Sequence, residues 1–193
     1  MNAKKLSFLL LILVAVACTN RSTSSEQDEM RHWNNVLQQI NALLLENKAR
    51  QTLDLAKQTL PEILESAEKN GTTDTLIYYA RKIFNACGNN YINTKQYKDG
   101  IDYMDSIGNH PLIREHCPHE LLSFKAGLNQ LYGNNPEAVR LAEDYLQLPV
   151  CTSANDFIRQ AEIISGVYMY SGNNLPKAIQ ILEKAIDDYR KGG

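Results

Sequence analysis

The 193-residue chain has little of what most functional classes require. It holds one Trp, four Cys, four His, six Pro and ten Gly, and its formal charge is −2. So few Gly and Pro exclude collagen-like and low-complexity architectures. Twenty Lys plus Arg against 22 Asp plus Glu leave no basic footprint, so no nucleic-acid partner is expected. The sequence contains no glycine-rich phosphate loop, no HExxH pair and no His, Asp and Ser arrangement suited to activating a nucleophile. It therefore reads as a protein that is not an enzyme and needs no cofactor. A single Trp gives poor material for a sugar-stacking platform. The longest largely apolar run, Leu6 to Ala17, spans twelve residues with Ser7 among them, whereas a membrane-crossing helix needs about 20.

What is present is ordinary for a soluble globular protein, 44% hydrophobic and 22% charged, with a length that permits one or two domains. Lys4 and Lys5 precede the apolar run, which ends on small residues before Cys18, so residues 1–17 read as a signal peptide. The ending Val14, Ala15, Val16, Ala17, Cys18 resembles a bacterial lipobox, which implies cleavage before Cys18 and lipidation of that Cys. Loss of Lys4 and Lys5 would take Lys plus Arg from 20 to 18 and the charge to −4. Thr19 to Glu29 carries no apolar residue and is rich in Ser and Thr, so residues 18–29 read as a lipidated Cys on a flexible tether. Asp28 is a candidate cap for the first helix.

Residues 30–193 show helical spacing of apolar positions nearly throughout. Trp33, Val36, Leu37, Ile40 and Leu44 share one face, and Ala49, Leu53 and Ala56 continue in a second helix that Asn70 and Gly71 stop. Thr73 or Asp74 starts a third helix carrying Leu76, Ala80, Ile83 and Phe84. Phe84, Cys87, Gly88 and Tyr91 recur at threes and fours, as do Tyr97, Gly100, Met104 and Ile107 beyond a turn near Thr94 to Gln96. Gly108 to Pro111 break the pattern, and Pro118 opens another helix. The segments GNNPEAVRLAEDYL and GNNLPKAIQILEKAI are one turn and helix written twice, the second with one residue inserted. The expected fold is all-α, with about four helical hairpins and eight helices.

Phe84, Cys87–Gly88, Tyr91 and the later small residue Gly100 resemble the signature of the tetratricopeptide repeat, with Gly100 where that family usually has Ala. In the first hairpin Trp33, Ala49, Ala56 and Pro61 match the repeat's Trp, two small sites and closing Pro, although Leu37 replaces its Gly. The small sites Ala49, Gly100, Ala138 and Ala178 are spaced 51, 38 and 40 apart, longer than the repeat's usual 34 or so. The resemblance covers residues 30 to 191 and implies an α-solenoid, because such a hairpin cannot bury its apolar face alone. It also implies a concave groove lined by set positions of each first helix. Those are Arg31, Asn34, Gln38 and Asn41, then Lys82, Asn85, Asn89 and Asn93, with Gln130, Arg159 and Glu162 in later hairpins. Amides both donate and accept, as an extended peptide backbone requires, and Arg or Lys supplies charge for a carboxylate.

The sequence thus reads as a lipid-anchored, periplasm-facing scaffold of the bacterial cell envelope that binds a protein or peptide. A sensory ectodomain of an envelope signalling protein and an outer-membrane assembly factor remain as alternatives. No polar capping helix follows Lys191, from which truncation or self-association is expected. His110, His116, Cys117 and His119 fall in ten residues but lack the paired spacing of zinc motifs, so this stretch reads as a solvated loop with no metal. With Cys18 lipidated and Cys87 on a buried face, Cys117 and Cys151 remain just outside the two ends of the third hairpin. Antiparallel helices joined by a short turn bring such ends together, so a Cys117–Cys151 disulfide is a candidate in an oxidising compartment.

Overall fold

The computed structural model describes residues 27–149 and 154–192. Among them the chain is all-α, with nine helices and no strand. Helix α1 spans 27–45, α2 Ala49–Asn70, α3 Asp74–Asn93, α4 Tyr97–Ile107, α5 Pro111–His116, α6 Pro118–Tyr132, α7 Asn135–Leu146, α8 Ala154–Tyr170 and α9 Leu175–Gly192. The chain divides into two compact units, residues 1–39 and 40–193.

In the first unit the described residues belong to α1, where Trp33 and Val36 are buried and Arg31, Asn34 and Gln38 are exposed. Residues 27–29, assigned above to the tether, are already helical. Asp28 sits inside the helix rather than ahead of it, and its carboxylate lies 3.4 Å from Arg31. Acidic and amide residues are tolerated or favoured in a first turn, and an i,i+3 ion pair adds a little support, so polarity alone misjudged where helix begins.

The second unit is built on four connections that share one backbone solution. Asn47, Lys95, Gly133 and Asn173 all have positive φ, between 47° and 95°. In the first three, the amide of that residue bonds three residues back and the next amide five residues back, as in Gly133 N to Gln130 O and Asn134 N to Asn129 O. This is the Schellman closure, which satisfies the last carbonyls of a helix and turns the chain sharply. In the fourth, Asn174 N reaches six residues back to Tyr168 O, accommodating the inserted residue of GNNLPKAI. Five residues after each positive-φ position stands a buried residue of modest size: Thr52, Gly100, Ala138 and Ala178. Ala49, expected at that site in the first hairpin, is only half-buried, so the first-hairpin register lies three residues further along than its Trp33 suggested.

Side chains of Thr73, His110 and Asn174 cap the starts of α3, α5 and α9. Thr73 Oγ1 accepts from Leu76 N at 3.3 Å, so Thr73 caps α3. Pro61 lies inside the continuous α2, and Gly71, at φ 85°, follows its end. Helix α5 occupies the stretch expected to be a solvated loop. His110 Nδ1 accepts from Leu112 N at 3.2 Å, Pro111 takes the first helical position, and Leu112 and Ile113 are buried. Prolines that look like loop markers in a sequence are equally good openers of helices.

Helix α6 is the centre of packing, touching α3, α4, α5, α7 and α8, while α2 lies along α3 and α9 along α8. Gly88 of α3 admits the Phe124 ring so closely that a methyl group there would stand 2.4 Å from it. Phe124 in turn meets Phe84 edge to face, with centroids 6.2 Å apart. At Gly127 a methyl would lie 2.7 Å from Ile163 of α8 and 4.0 Å from Ile92 of α3. The pairings 88 with 124 and 92 with 127 advance together, so α3 and α6 run in the same direction. Beyond them Ala138, Leu141, Ala142 and Tyr145 of α7 join Ile164, Val167 and Tyr168 of α8 in one buried cluster.

Candidate functional site

The face formed by α3 and α8 beside Gly127 carries the densest group of expected groove residues. Asn85 and Asn89 are half-buried one turn apart on α3, and Asn89 Nδ2 donates to the Asn85 carbonyl at 3.0 Å. Arg159 Nε of α8 donates to Asn89 Oδ1 at 3.1 Å across 70 residues of sequence. Arg159 also holds Glu162 at 3.1 Å. Because Gly127 projects no side chain, Ile92 and Ile163 close over α6 and bring the two polar side chains within reach. The result is a preorganised amide and guanidinium pair, with Asn89 half-buried and Arg159 exposed. Lys82 is half-buried with its ammonium 6.0 Å from the Tyr78 ring, Asn93 is exposed and Gln130 half-buried.

The first-hairpin candidates fare differently. Lys82, Asn85, Asn89 and Asn93 stand 13, 10, 6 and 2 residues before Lys95, and the same offsets from Asn47 give Asn34, Leu37, Asn41 and Leu45. Asn34 and Asn41 keep the expected register and are exposed; Arg31 and Gln38 lie three residues short of it. Cys18 and Cys151 lie outside the described residues. Cys117 is buried at the junction of α5 and α6, and His119 Nε2 lies 2.7 Å from the Pro149 carbonyl, so the two ends of the α6–α7 hairpin do meet.

His110, Cys117 and His119 have separate structural tasks. His110 caps α5 and faces Glu68 at 3.2 Å, Cys117 is in the core, and His119 packs edge-on against Tyr145 with centroids 5.6 Å apart. Among the described residues no three His, Cys, Asp or Glu side chains are grouped to hold a metal ion.

Two polar groups were missed by reading the sequence. Arg81 of α3 faces Glu120 of α6 at 3.1 Å, the carboxylate only 1% exposed, and donates to the His116 carbonyl at 2.5 Å. This arrangement joins three helices. Its one trace in the sequence is an acid, Glu120, on the face of α6 that also carries Ser123 and Phe124. The second group lies where α2, α3 and α4 meet. Lys57 Nζ stands 5.6 Å from the Tyr91 ring centroid and 5.8 Å from that of Tyr103. Burial pushes the Cys87 thiol up to about 12, against a smaller lowering by Tyr103, whose hydroxyl is 3.8 Å from the sulfur. Burial likewise raises Tyr103 and Tyr91. A thiol held protonated and enclosed is a packing group, not a nucleophile.

No family model matches the chain, and neither a curated protein nor a solved structure matches it. Among the described residues no helix is long and apolar enough to cross a membrane.

Proposed function

We propose that the chain is a lipid-anchored scaffold of the bacterial cell envelope, whose tetratricopeptide-like solenoid binds a protein or peptide and catalyses nothing. The observation that carries this reading is the fourfold recurrence of one positive-φ turn with a buried residue of modest size five positions later. Recurrence of a turn and its packing site is what a stack of like hairpins requires, and such stacks work by displaying an extended surface. Asn85, Asn89 and Arg159 supply that surface with groups that pair with a peptide backbone and with a carboxylate. Cys18 supplies the anchor, and the polar residues after it supply reach.

The test is affinity capture from envelope extract with wild-type protein and with Asn85→Ala/Asn89→Ala. The wild type should retain a discrete partner that the double variant loses while keeping its helicity. Capture of the same partner by both would remove this face from the reading, and a large loss of stability would make the two amides structural.

A further inference from the structure

Eleven large apolar side chains are exposed among the described residues, and seven of them lie within four residues of a positive-φ turn. They are Leu44 and Leu45 beside Asn47, Leu131 and Tyr132 beside Gly133, and Met169, Tyr170 and Leu175 beside Asn173. Scattered apolar residues need no explanation, but a concentration on one set of tips does. These tips are neighbours. Ser171 Oγ donates to Asn135 Oδ1 at 2.8 Å, joining the third and fourth turns, and a Cβ at Gly100, just past the second turn, would stand 3.0 Å from Leu128, one helical turn before Tyr132. The first turn shares the edge because residues 71–73 return the chain at once from α2 into α3, and Lys57 of α2 lies over Tyr91 near the end of α3.

Cations stand among the apolar tips. Lys48 and Lys98 pair with Glu46 and Asp102, but Arg50, Lys95 and Lys177 have no acidic partner among the described residues. Of the nearby acids, Glu137 is already held by Arg140 at 2.6 Å and Asp99 lies in the first turn of α4, where a helix favours it. Asn47, Asn134 and Asn174 put amides at the same tips.

We propose that this turn edge rests on the anionic headgroup surface of a lipid bilayer. Tyrosine rings with a polar tip, leucines beside them and flanking Lys and Arg are the combination that settles at a membrane interface, apolar part inward and charge outward. Cations without acidic partners attract anionic lipid even though the whole chain is slightly acidic. A protein partner would favour one continuous dry patch with charge excluded from its centre, whereas here the apolar tips are separated by amides and cations. The inference rests on the envelope reading above.

The full chain is reconstituted with phosphatidylethanolamine and phosphatidylglycerol vesicles whose acyl chains are or are not brominated. Trp is introduced singly as Tyr132→Trp, Tyr170→Trp or Asn109→Trp, the last at the far end of α4, and the Trp33 signal of the wild type is subtracted. The edge should show blue-shifted emission from positions 132 and 170 that brominated lipid quenches, with position 109 unaffected. Leu45→Glu/Tyr170→Glu, at side chains 87% and 72% exposed, should leave the fold intact and weaken the salt-sensitive part of vesicle binding. Mass spectrometry of Cys18 separates the two ideas. An acylated, vesicle-bound protein with no quenching at 132 or 170 overturns the edge but not the anchor; quenching with an unacylated Cys18 does the reverse. Absence of vesicle binding, or equal quenching at all three positions, also overturns the proposal, as does an edge that captures protein and ignores lipid.

Discussion

Adding one methyl group at Gly88 should be more costly than at any other glycine in the interior. A Cβ there would stand 2.4 Å from Cγ and Cδ2 of Phe124, more than 1 Å inside ordinary contact, and 2.6 Å from Cδ1. The ring cannot retreat. It is 1% exposed and already rests edge-on against Phe84. Overpacking of this kind costs about 1 to 3 kcal/mol, offset by the roughly 1 kcal/mol that Ala gains over Gly inside a helix. With the approach at 2.4 Å the upper end of that cost applies, so Gly88→Ala should lose about 2 kcal/mol, or about 4 to 8 °C in Tm for a chain of this size. Gly127→Ala makes the useful contrast, because its nearest neighbour at 2.7 Å is the Cγ2 methyl of a half-buried Ile163. That side chain can move, and the change should be nearly neutral. Thermal and urea unfolding of both variants, with Gly88→Ala/Phe124→Leu to make room, provides the assay. A Gly88→Ala protein as stable as wild type, or a double variant whose losses simply add, would refute the close approach of α3 and α6.

Other expectations follow from the same packing. Arg81→Met removes the cation facing buried Glu120 and should cost about 3 kcal/mol, largely recovered in Arg81→Met/Glu120→Leu; a loss in the double variant equal to that in the single would show the pair to be unimportant. The Cys87 thiol, raised from its ordinary 9.0 to about 12 by burial, should resist alkylation at pH 8 until the chain unfolds. Because its folded value lies above its unfolded one, its contribution to stability is complete below about pH 9 and falls as pH rises towards 12. Rapid native labelling would contradict this. Gly100→Leu, which must displace Tyr91 and Leu128 at 3.0 Å, should cost at least about 1 to 3 kcal/mol.

The helices were legible because apolar residues recur at threes and fours, and the turns at Gly133 and Asn173 because Gly and Asn mark them. The start of α3 at Thr73 or Asp74 was readable for the same local reason, and Thr73 is the cap. Three things were not local. The register of the first hairpin was drawn from Trp33 and Ala49, but burial is decided from the turn, and Thr52 takes the packing site. Leu44 was placed on the apolar face and is 42% exposed, since the buried row runs 33, 36, 40 and then turns towards Leu43. Helix α5 was hidden between prolines, although Leu112 and Ile113 needed a buried face. Arg81 with Glu120, and Asn89 with Arg159, join residues 39 and 70 positions apart. Nothing in their local sequence announces a partner on another helix.

Photo-crosslinking in the intact envelope tests the central claim most directly. A crosslinking amino acid replacing Asn89 or Arg159, on the polar face shared by α3 and α8, should yield one discrete protein adduct. The same group at exposed Asn109 should not. Equal labelling from all three positions, or none from Asn89 and Arg159 in cells where Cys18 is acylated, would contradict the view that this face recognises a partner.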